Sequence, residues 1–421
     1  MSNFNSQNAN LSLGIINNEL GIEDSFLAKL LYLERRVRKG TQGYSKFSHF
    51  SELPVNYQPD SKEKSFFLPI YSVPKDHLKI FLANPLDKLL QNYIFEDKVS
   101  FCVHPVDLEK QDEKVIHDLL NYEKKGFLEV SPTSSSRTVL ILDSGYSPHA
   151  IKCHCPLRIS RFFRDLEPLT IYQSLIISSL LDETNIAHLP ETIGIAFPHD
   201  QNHGWGFIIR EMTPRPYSTQ KELMIPCFAL YGQDVNTPDS EPLIVKMIKY
   251  QKQNPKNFVL ENIMFPIIED FVFFFKSQGI LLEPHGQNSL LEVDEYLNPK
   301  RIVHRDFDLY VDINYRHSLG LSLEGFQIPT MPSEPPPGGI HSLIYDHSIA
   351  HNHFDYLAEV LNRYFDVDKK SLQIACKEKF RTIFPDSNLF FSSKVYYYSD
   401  KAISYNNFPL VETNEMPVWR P

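Results

Sequence analysis

The alternation of apolar and polar positions predicts a chain of mixed helices and strands. Leucines recur at helical spacing over residues 25–38. Residues 258–277 form a longer apolar stretch that ends at Gly279, a residue typical of helix C-termini. Further helices are predicted within residues 351–384. Short apolar runs between turn residues predict strands from about residue 66 to residue 211.

Two polar clusters lie on either side of a predicted hairpin. Residues 283–288 (EPHGQN) follow the long apolar helix, and residues 304–308 (HRDFD) follow the hairpin predicted over residues 289–303. Because a hairpin brings its ends to one rim, the clusters should lie together. Carboxylates and a carboxamide can hold Mg²⁺, and a neighbouring Arg or His can face phosphate. The pattern indicates a nucleotide-handling site or, alternatively, a polar hairpin with a surface ion pair.

A hydroxyl-rich loop precedes another predicted hairpin. Residues 131–138 (SPTSSSRT) end in Arg-Thr and enter a strand, and the next strand carries Lys152. Loop hydroxyls, backbone N–H groups, Arg137 and Lys152 could together hold a phosphate. The alternative is a serine-rich surface turn with an exposed lysine.

Arginines also mark the start of the next predicted helix, from about residue 159 to residue 181. Arg161 and Arg164 would lie in its first turn, where cations oppose the helix dipole. An anionic ligand at that position would relieve the unfavourable interaction. The alternative is exposed arginines that pair with nearby acidic residues.

Length and composition limit the classes of protein. A chain of 421 residues predicts about two or three domains, and a hydrophobic content of 42% supplies substantial cores. The net charge of −10 argues against a nucleic-acid binder, which usually has a basic face. The N-terminal residues do not resemble a signal peptide, and the apolar run at residues 271–275 is too short to cross a membrane. We therefore expect a cytoplasmic protein without nucleic-acid or membrane partners.

Cysteines and clustered histidines suggest metal sites only weakly. The five cysteines form no CxxC pair, and their odd number favours a reducing compartment. In the sequence Cys153-His154-Cys155, a strand would place the thiols and the imidazole on opposite faces. Zinc ligation is therefore the less favoured interpretation. A second cluster beside the last predicted helices is interpreted as solvated capping groups rather than metal ligands: His347, His351 and His353.

The order of these elements resembles that of the NRPS-independent siderophore synthetases, the aerobactin-type IucA/IucC family. The family shows a His-Pro element, a Ser/Thr-rich loop ending in Arg-Thr, a Lys strand, a Ser/Thr-x-x-x-Arg element, Glu-x-His-x-Gln-Asn and Arg-Asp. Here these are His104-Pro105, residues 131–138, Lys152, Ser160 with Arg164, Glu283 with His285, Gln287 and Asn288, and Arg305-Asp306.

The resemblance implies an α+β, cupped-hand fold of fingers, palm and thumb, with mainly antiparallel sheets and a helical C-terminal part. It implies a shortened thumb-like region over residues 1–100, a nucleotide-binding fingers region over residues 101–241 and a palm with C-terminal helices over residues 242–421. Family members often form homodimers, which are expected here on the same ground.

The resemblance also implies an activity in siderophore biosynthesis. Members use ATP and Mg²⁺ to adenylate a carboxylate, usually of citrate, and condense it with an amine, hydroxylamine or alcohol. Carried over, the catalytic residues would be His285, Arg164 and Gln287. Mg²⁺ would be positioned by Glu283, Asn288 and Asp306. The nucleotide would be held by Ser136, Arg137, Thr138, Lys152, Ser160 and Arg305.

One element departs from the family pattern. The family's His-Pro-x-x-Lys-x-Arg-x-Gly element corresponds to residues 35–43 here, where Lys39 and Gly43 match, but Arg35 and Arg36 replace His and Pro. That element borders the carboxylate pocket in the family. A catalytically degenerate, nucleotide-binding relative is therefore an alternative.

A kinase-like phosphotransferase is a second alternative. The Ala-Ile-Lys strand at Lys152 and the His-Arg-Asp sequence at Asp306 resemble kinase elements. No glycine-rich loop precedes Lys152 and no Asp-Phe-Gly follows Asp306, which disfavours this interpretation.

Overall fold

A computed structural model describes most of the chain. It covers residues 25–38, 51–109, 114–143, 145–198, 204–218, 222–326, 338–402 and 407–421. Residues 39–43 of the altered element therefore lie outside the described residues. None of the helices in these ranges is long and apolar enough to cross a membrane.

Most of the strand residues lie in the first half of the chain. In chain order they are β1 Val37–Arg38, β2 Phe66–Pro74, β3 Lys79–Leu82, β4 Lys98–Cys102, β5 Glu123–Pro132, β6 Thr138–Ile141, β7 His149–Cys153, β8 Cys155–Ile159, β9 Phe162–Arg164, β10 Glu191–Pro198, β11 Gly204–Glu211, β12 Leu223–Pro226, β13 Gln233–Asp234, β14 Ile280–Leu281, β15 Ser289–Val293, β16 Pro299–His304, β17 Tyr310–Val311, β18 Tyr396–Tyr398 and β19 Leu410–Glu412.

The helices dominate the second half. They are α1 Ser25–Arg36, α2 Asp87–Tyr93, α3 Pro105–Glu109, α4 Lys114–Leu120, α5 Pro168–Asp182, α6 Cys227–Tyr231, α7 Leu243–Gln251, α8 Pro255–Val259, α9 Phe265–Gln278, α10 Ile313–Ser318, α11 Gly339–Ser342, α12 Asp355–Phe365 and α13 Lys369–Ile383. Two π-helical segments, Leu260–Met264 and Leu343–Phe354, join α8 to α9 and α11 to α12.

The largest sheet in the described part of the chain has eight strands in the order β3-β10-β11-β7-β6-β5-β2-β4. Its neighbouring strands pair antiparallel. The sheet includes strands that lie before residue 100 and strands that lie after it. The division into regions 1–100, 101–241 and 242–421 stays a prediction. Strands β12, β15 and β16 form a smaller antiparallel sheet. With the helices that follow, this arrangement confirms the expected α+β class with mainly antiparallel sheets and a helical C-terminal part.

Helix α5 packs closely on the eight-stranded sheet. A Cβ atom at Gly194 would come within 2.2 Å of Ile171 Cγ2, and one at Gly206 would come within 2.8 Å of Ile171 Cδ1. Glycine at these two positions therefore lets the helix approach the strands. The close approach fixes the sheet against the helix at β10 and β11, next to the strand that carries Lys152.

The predicted start of this helix at residue 159 was wrong. Residues Cys155–Ile159 and Phe162–Arg164 form the β8–β9 hairpin, and the helix begins only at Pro168. Ser160 adopts a left-handed conformation with φ of 59°, as a turn requires. Proline favours the first position of a helix, so Pro168 sets the actual start. The arginines therefore lie on a hairpin, and the argument from the helix dipole does not apply to them.

The expectation of solvated histidines near residue 350 was also wrong. These residues lie in the π-helical segment, and His353 is fully buried, with Nδ1 3.1 Å from the Pro284 carbonyl oxygen. Burial lowers the pKa of His347 to about 3 and that of His353 to about 4. Both imidazoles are therefore neutral parts of the interior at neutral pH.

Candidate active site

Lys152 and Asp306 form the centre of a charged cluster. The Lys152 side chain is fully buried in β7, and its ammonium donates to the Asp306 carboxylate. Arg210 on the neighbouring strand β11 lies 3.8 Å from the same carboxylate and pairs with Glu191 at 2.6 Å. Burial acts to raise the pKa of Asp306, but Lys152, Arg210 and Arg137 outweigh it and hold that pKa well below its usual range. Asp306 is therefore ionised.

Two further carboxyls lie beside this pair. Burial, followed by repulsion from Asp308 and Asp306, raises the pKa of Glu283 to about 8. Burial likewise raises the pKa of Asp308, although Lys152 opposes the shift. Asp308 nevertheless remains exposed and Glu283 half-buried. The two groups are thus surrounded by protein but still reach solvent, as residues that line a cleft do.

Arg164 faces these acids from the β8–β9 hairpin. Burial and the nearby Arg137 lower its pKa to about 10, while Asp306, Asp308 and Glu283 oppose the change. Arg164 therefore stays charged at neutral pH. Arg137 is fixed by donating from Nη1 to the Arg164 carbonyl oxygen at 2.8 Å. The two guanidinium groups give the cleft a cationic side next to its carboxylates.

His285 supplies a neutral imidazole to the same cluster. Burial lowers the pKa of His285 to about 4. The nearby Arg305 and Arg164 also lower this pKa, whereas Asp306 acts to raise it. His285 Nδ1 accepts from the Gln287 backbone N–H at 3.2 Å. The proton of the neutral ring therefore lies on Nε2, and His285 can donate a hydrogen bond from that atom.

The hydroxyl-rich loop lies against the 283–288 segment. Gln287 Nε2 donates to Ser134 Oγ at 3.1 Å, which joins the loop to the polar cluster of residues 283–288. Ser136 is in the left-handed region with φ of 65°, and Thr138 N–H donates to Ser135 Oγ at 3.1 Å. Ser136, Arg137 and Thr138 are all buried, so the loop is a compact turn rather than an open surface.

The other residues proposed from the sequence have structural contacts. Arg305 donates from Nη1 to Glu34 at 2.5 Å and from Nε to the Gln287 carbonyl oxygen at 2.8 Å. Asn288 is buried, and its backbone N–H donates to the His285 carbonyl oxygen at 3.0 Å. Ser160 lies at the turn of the β8–β9 hairpin. The structure therefore joins Lys152, Arg164, Glu283, His285 and Asp306 in one cluster and places Arg305 behind it.

The altered element begins inside the protein. Arg35 is 2% exposed and donates to Ser131 Oγ at 2.6 Å and to the Glu63 carbonyl oxygen at 2.7 Å. These bonds tie helix α1 to the base of the hydroxyl-rich loop and to the chain before β2. In this structure, Arg35 is a buried scaffold residue.

The C-terminal strand pair approaches the cluster from another side. The hydroxyls of Tyr310 and Tyr398 lie 2.5 Å apart. Arg161 donates to the Tyr398 carbonyl oxygen at 3.3 Å and lies 5.0 Å from the centre of the Phe408 ring. Arg161, expected near an anion, thus bonds to the backbone of the strand pair.

Sequence reasoning missed Arg210 and Glu34 as parts of the site, and it placed Asp308 in the 304–308 cluster without giving it a role. Arg210 had a signal, because it is a charged residue in the otherwise apolar run Phe207-Ile208-Ile209. Its partner strand could be known only from the sheet order. Glu34 lies 271 residues from Arg305, a separation that no local pattern spans.

The residue chemistry of the cleft suits Mg²⁺, although a ligand cluster is not assembled. Carboxylate and carboxamide oxygens are the donors that this ion prefers, and phosphates usually complete its coordination. Glu283, Asp308 and Asn288 offer such oxygens. Among the described residues, however, no group of three or more His, Cys, Asp and Glu side chains is arranged to hold a metal ion.

His104 of the His-Pro element predicts a pH effect on stability. It is fully buried between Tyr57 and Phe66, and burial lowers its pKa to about 3. The unfolded chain binds this proton more readily, so the stabilisation is complete above the unfolded pKa of 6.5 and is lost as the pH falls toward 3. Acidification from pH 8 to pH 5 should cost about 2 kcal/mol through this group.

We therefore expect His104→Gln to lose less stability than the wild type over that pH range. Glutamine is neutral and can still accept from the Val106 N–H, which lies 3.3 Å from His104 Nδ1. Urea unfolding at both pH values measures the difference, and the exposed His117, replaced in the same way, is the control. Equal losses in the wild type and His104→Gln would contradict the prediction.

Comparison with solved structures defines the class of protein with this fold. Petrobactin biosynthesis protein AsbB from Bacillus anthracis str. Sterne superposes with a TM-score of 0.64 at 16% identity, covering 95% of this chain and 80% of that one. ATP-bound aerobactin synthetase IucA from Klebsiella pneumoniae gives 0.63 at 14%, covering 100% and 81%. Aerobactin synthetase IucC from the same organism gives 0.62 at 16%, covering 99% and 81%. The chain therefore shares the fold of these three proteins.

Sequence comparison then finds matches to known families. Residues 56–232 match the IucA / IucC family, which confirms the resemblance found in the sequence. Residues 271–377 match a second family, described as ferric iron reductase FhuF-like transporter. No curated protein matches the chain. The matched regions together include Lys152 and Arg164 on one side of the cluster and Glu283, His285 and Asp306 on the other.

Proposed function

We propose that the protein is an ATP-dependent siderophore synthetase. It would activate a carboxylate of citrate or a citrate derivative as an acyl adenylate and transfer the acyl group to an amine, hydroxylamine or alcohol. The observation that carries the proposal is the cluster of Lys152, Arg137 and Arg164 facing Glu283 and Asp306 in one cleft. The family match and the fold of the ATP-bound relative support it.

The first chemical step needs positive charge around a triphosphate. A carboxylate oxygen attacks the α-phosphorus of ATP, an acyl–phosphate bond forms, and pyrophosphate leaves with the bridging oxygen. Charge develops on the phosphoryl oxygens, and fixed cations lower the barrier because they need no reorganisation. Arg137, Arg164 and the buried Lys152 would supply these cations.

The second step is attack of the nucleophile on the acyl carbon. The C–N or C–O bond forms, AMP leaves, and the nucleophile loses one proton. His285 is neutral and can donate from Nε2, so it can orient the activated carboxyl group. Gln287 is bonded to Ser134 and would keep the hydroxyl-rich loop beside the nucleotide.

Mg²⁺ would be held on the acidic side of the cleft. Glu283 and Asn288 have the oxygen donors for it, and Asp306 would join them only by sharing its carboxylate with Lys152. The ion would neutralise triphosphate charge when bound. Its charge would also lower the pKa of Glu283, which burial and nearby carboxylates raise to about 8, so metal binding should release protons near neutral pH.

The setting of the reaction follows from the same proposal. The substrates are small molecules and the energy source is ATP, so we expect the reaction in the cytoplasm. A homodimer stays a prediction.

Product analysis tests the proposed reaction. The purified protein is incubated with ATP, Mg²⁺, citrate and a panel of diamines and hydroxylamines, and AMP, ADP and pyrophosphate are measured. The proposal predicts equal amounts of AMP and pyrophosphate that depend on both citrate and nucleophile. ADP with a phosphorylated product would instead indicate a phosphotransferase, and nucleotide binding without turnover would indicate a degenerate relative.

A further inference from the structure

Glu34 on helix α1 connects the two halves of the candidate site. The residue is 1% exposed. Its Oε2 accepts from the Ser134 backbone N–H at 3.0 Å, and its Oε1 accepts from Arg305 Nη1 at 2.5 Å. One carboxylate thus joins the hydroxyl-rich loop to the segment that follows strand β16.

Other hydrogen bonds close this connection into a ring. Arg305 Nε donates to the Gln287 carbonyl oxygen at 2.8 Å, and Gln287 Nε2 donates to Ser134 Oγ at 3.1 Å. The ring therefore runs from Glu34 through Arg305 and Gln287 to Ser134 and back. Each member comes from a different element, so the ring fixes their relative positions rather than the shape of any one of them.

Backbone hydrogen bonds within the hydroxyl-rich loop hold its own conformation, so its position in the site depends on its contacts with other elements. The Thr133 N–H donates to the Thr138 carbonyl oxygen at 3.0 Å, and the Ser136 N–H donates to the Thr133 carbonyl oxygen at 2.9 Å. These bonds maintain the conformation of the loop itself. The Ser134 contacts to Glu34 and Gln287 connect the loop to helix α1 and to the 283–288 segment.

The ionic character of the ring makes it strong. Arg305 is 7% exposed and Glu34 is almost fully buried, so their charges are little screened by water. Hydrogen bonds to ionised groups are shorter and stronger than neutral ones. The loss of the Glu34 carboxylate would leave the Arg305 cation buried without that counter-charge and the Ser134 N–H without that acceptor.

We propose that Glu34 is a positioning residue that holds the hydroxyl-rich loop in register with the Glu283–Asn288 segment. The proposal rests on the proposed function where it concerns catalysis, because the loop then contacts the ATP phosphates. Glu34 itself bonds to the Ser134 backbone of the loop and to Arg305. Its replacement should therefore weaken the use of ATP and leave the use of the carboxylate largely unchanged.

The test compares Glu34→Ala and Glu34→Gln with a buried pair elsewhere. Alanine removes both bonds of Glu34, whereas glutamine keeps an acceptor for the Ser134 N–H and loses the charge. Asp346→Asn is the matched control, because Asp346 and Arg420 form a buried pair at 2.7 Å, each 2% exposed, in the C-terminal part. If Glu34 served only general stability, all three variants would behave alike.

Two readouts on the full chain decide the matter. Amide hydrogen exchange of the 131–138 peptide should accelerate roughly tenfold or more in Glu34→Ala, less in Glu34→Gln and not in Asp346→Asn. The KM for ATP should rise in the same order, by roughly tenfold in Glu34→Ala, with the KM for the carboxylate within about twofold of the wild type. Unchanged exchange in Glu34→Ala, or equal effects in Asp346→Asn, would overturn the proposal.

The exchange measurement separates this proposal from the proposed function. It needs no nucleotide, so it reports on the loop even if the wild-type protein releases no pyrophosphate. Absence of turnover in the wild type would count against the synthetase activity alone. If the wild type turns over and hydrogen exchange of the 131–138 peptide is unchanged in Glu34→Ala, only the positioning role of Glu34 would be contradicted.

Discussion

Lys152→Met should abolish turnover and destabilise the protein more than any other single change proposed for this site. Lys152 is fully buried and bonded to Asp306, and its removal leaves a carboxylate without its closest cation. Breaking a buried pair in this way typically costs about 3–5 kcal/mol. Loss of a fixed cation from the proposed triphosphate site should lower kcat by roughly 1000-fold. Urea unfolding and pyrophosphate release measure the two effects.

A double variant separates the loss of chemistry from the loss of folding. Lys152→Met/Asp306→Asn removes both charges, so most of the stability should return while turnover stays absent. The exposed Lys124 lies on β5 of the same sheet, and Lys124→Met should keep both stability and turnover. Turnover near the wild-type rate in the folded double variant would show that Lys152 and Asp306 do not act on the substrate.

Arg164→Ala should abolish turnover without unfolding the protein. Arg164 is half-buried on the β8–β9 hairpin rather than part of the eight-stranded sheet, and Asp306, Asp308 and Glu283 lie near its charge. Its removal should lower kcat/KM by roughly 100-fold to 1000-fold, the range found when one preorganised donor is deleted. His285→Ala should have a comparable effect, because it removes the Nε2 donor. Circular dichroism and thermal unfolding check that both variants remain folded.

Arg158 is the matched control for Arg164. It lies opposite Phe163 in the same hairpin, with its guanidinium 4.7 Å from the centre of that ring. Arg158→Ala therefore removes an arginine of the hairpin without touching the acidic cluster. Full activity in Arg164→Ala or His285→Ala would show that the site assignment is wrong. A loss of activity in Arg158→Ala equal to that in Arg164→Ala would show that the effect comes from the hairpin as a whole.

The local parts of the site could be predicted from the sequence. The helix that ends at Gly279 and the hairpin of Ser289–Val293 and Pro299–His304 follow from apolar periodicity and from the turn at Asn298-Pro299. Both polar clusters lie at the ends of that hairpin, as expected. The backbone pairing of Ser289 with His304 brings the two ends together.

The long-range parts could not be predicted in this way. The Lys152–Asp306 pair joins residues 154 positions apart, and only the sheet order and the family resemblance place them together. The apolar run at Phe162 and Phe163 is too short for its period to distinguish a helix from a strand. The turn conformation of Ser160 decides in favour of the hairpin, and serine reveals no such preference in a sequence.

Exchange of labelled pyrophosphate into ATP tests the central claim most directly, because it reports the adenylation step without any nucleophile. The protein is incubated with ATP, Mg²⁺ and labelled pyrophosphate, with and without citrate or a citrate derivative. The account predicts exchange that requires the carboxylate and is lost in Lys152→Met/Asp306→Asn. Exchange that does not depend on a carboxylate, or ADP formation in place of exchange, would contradict it.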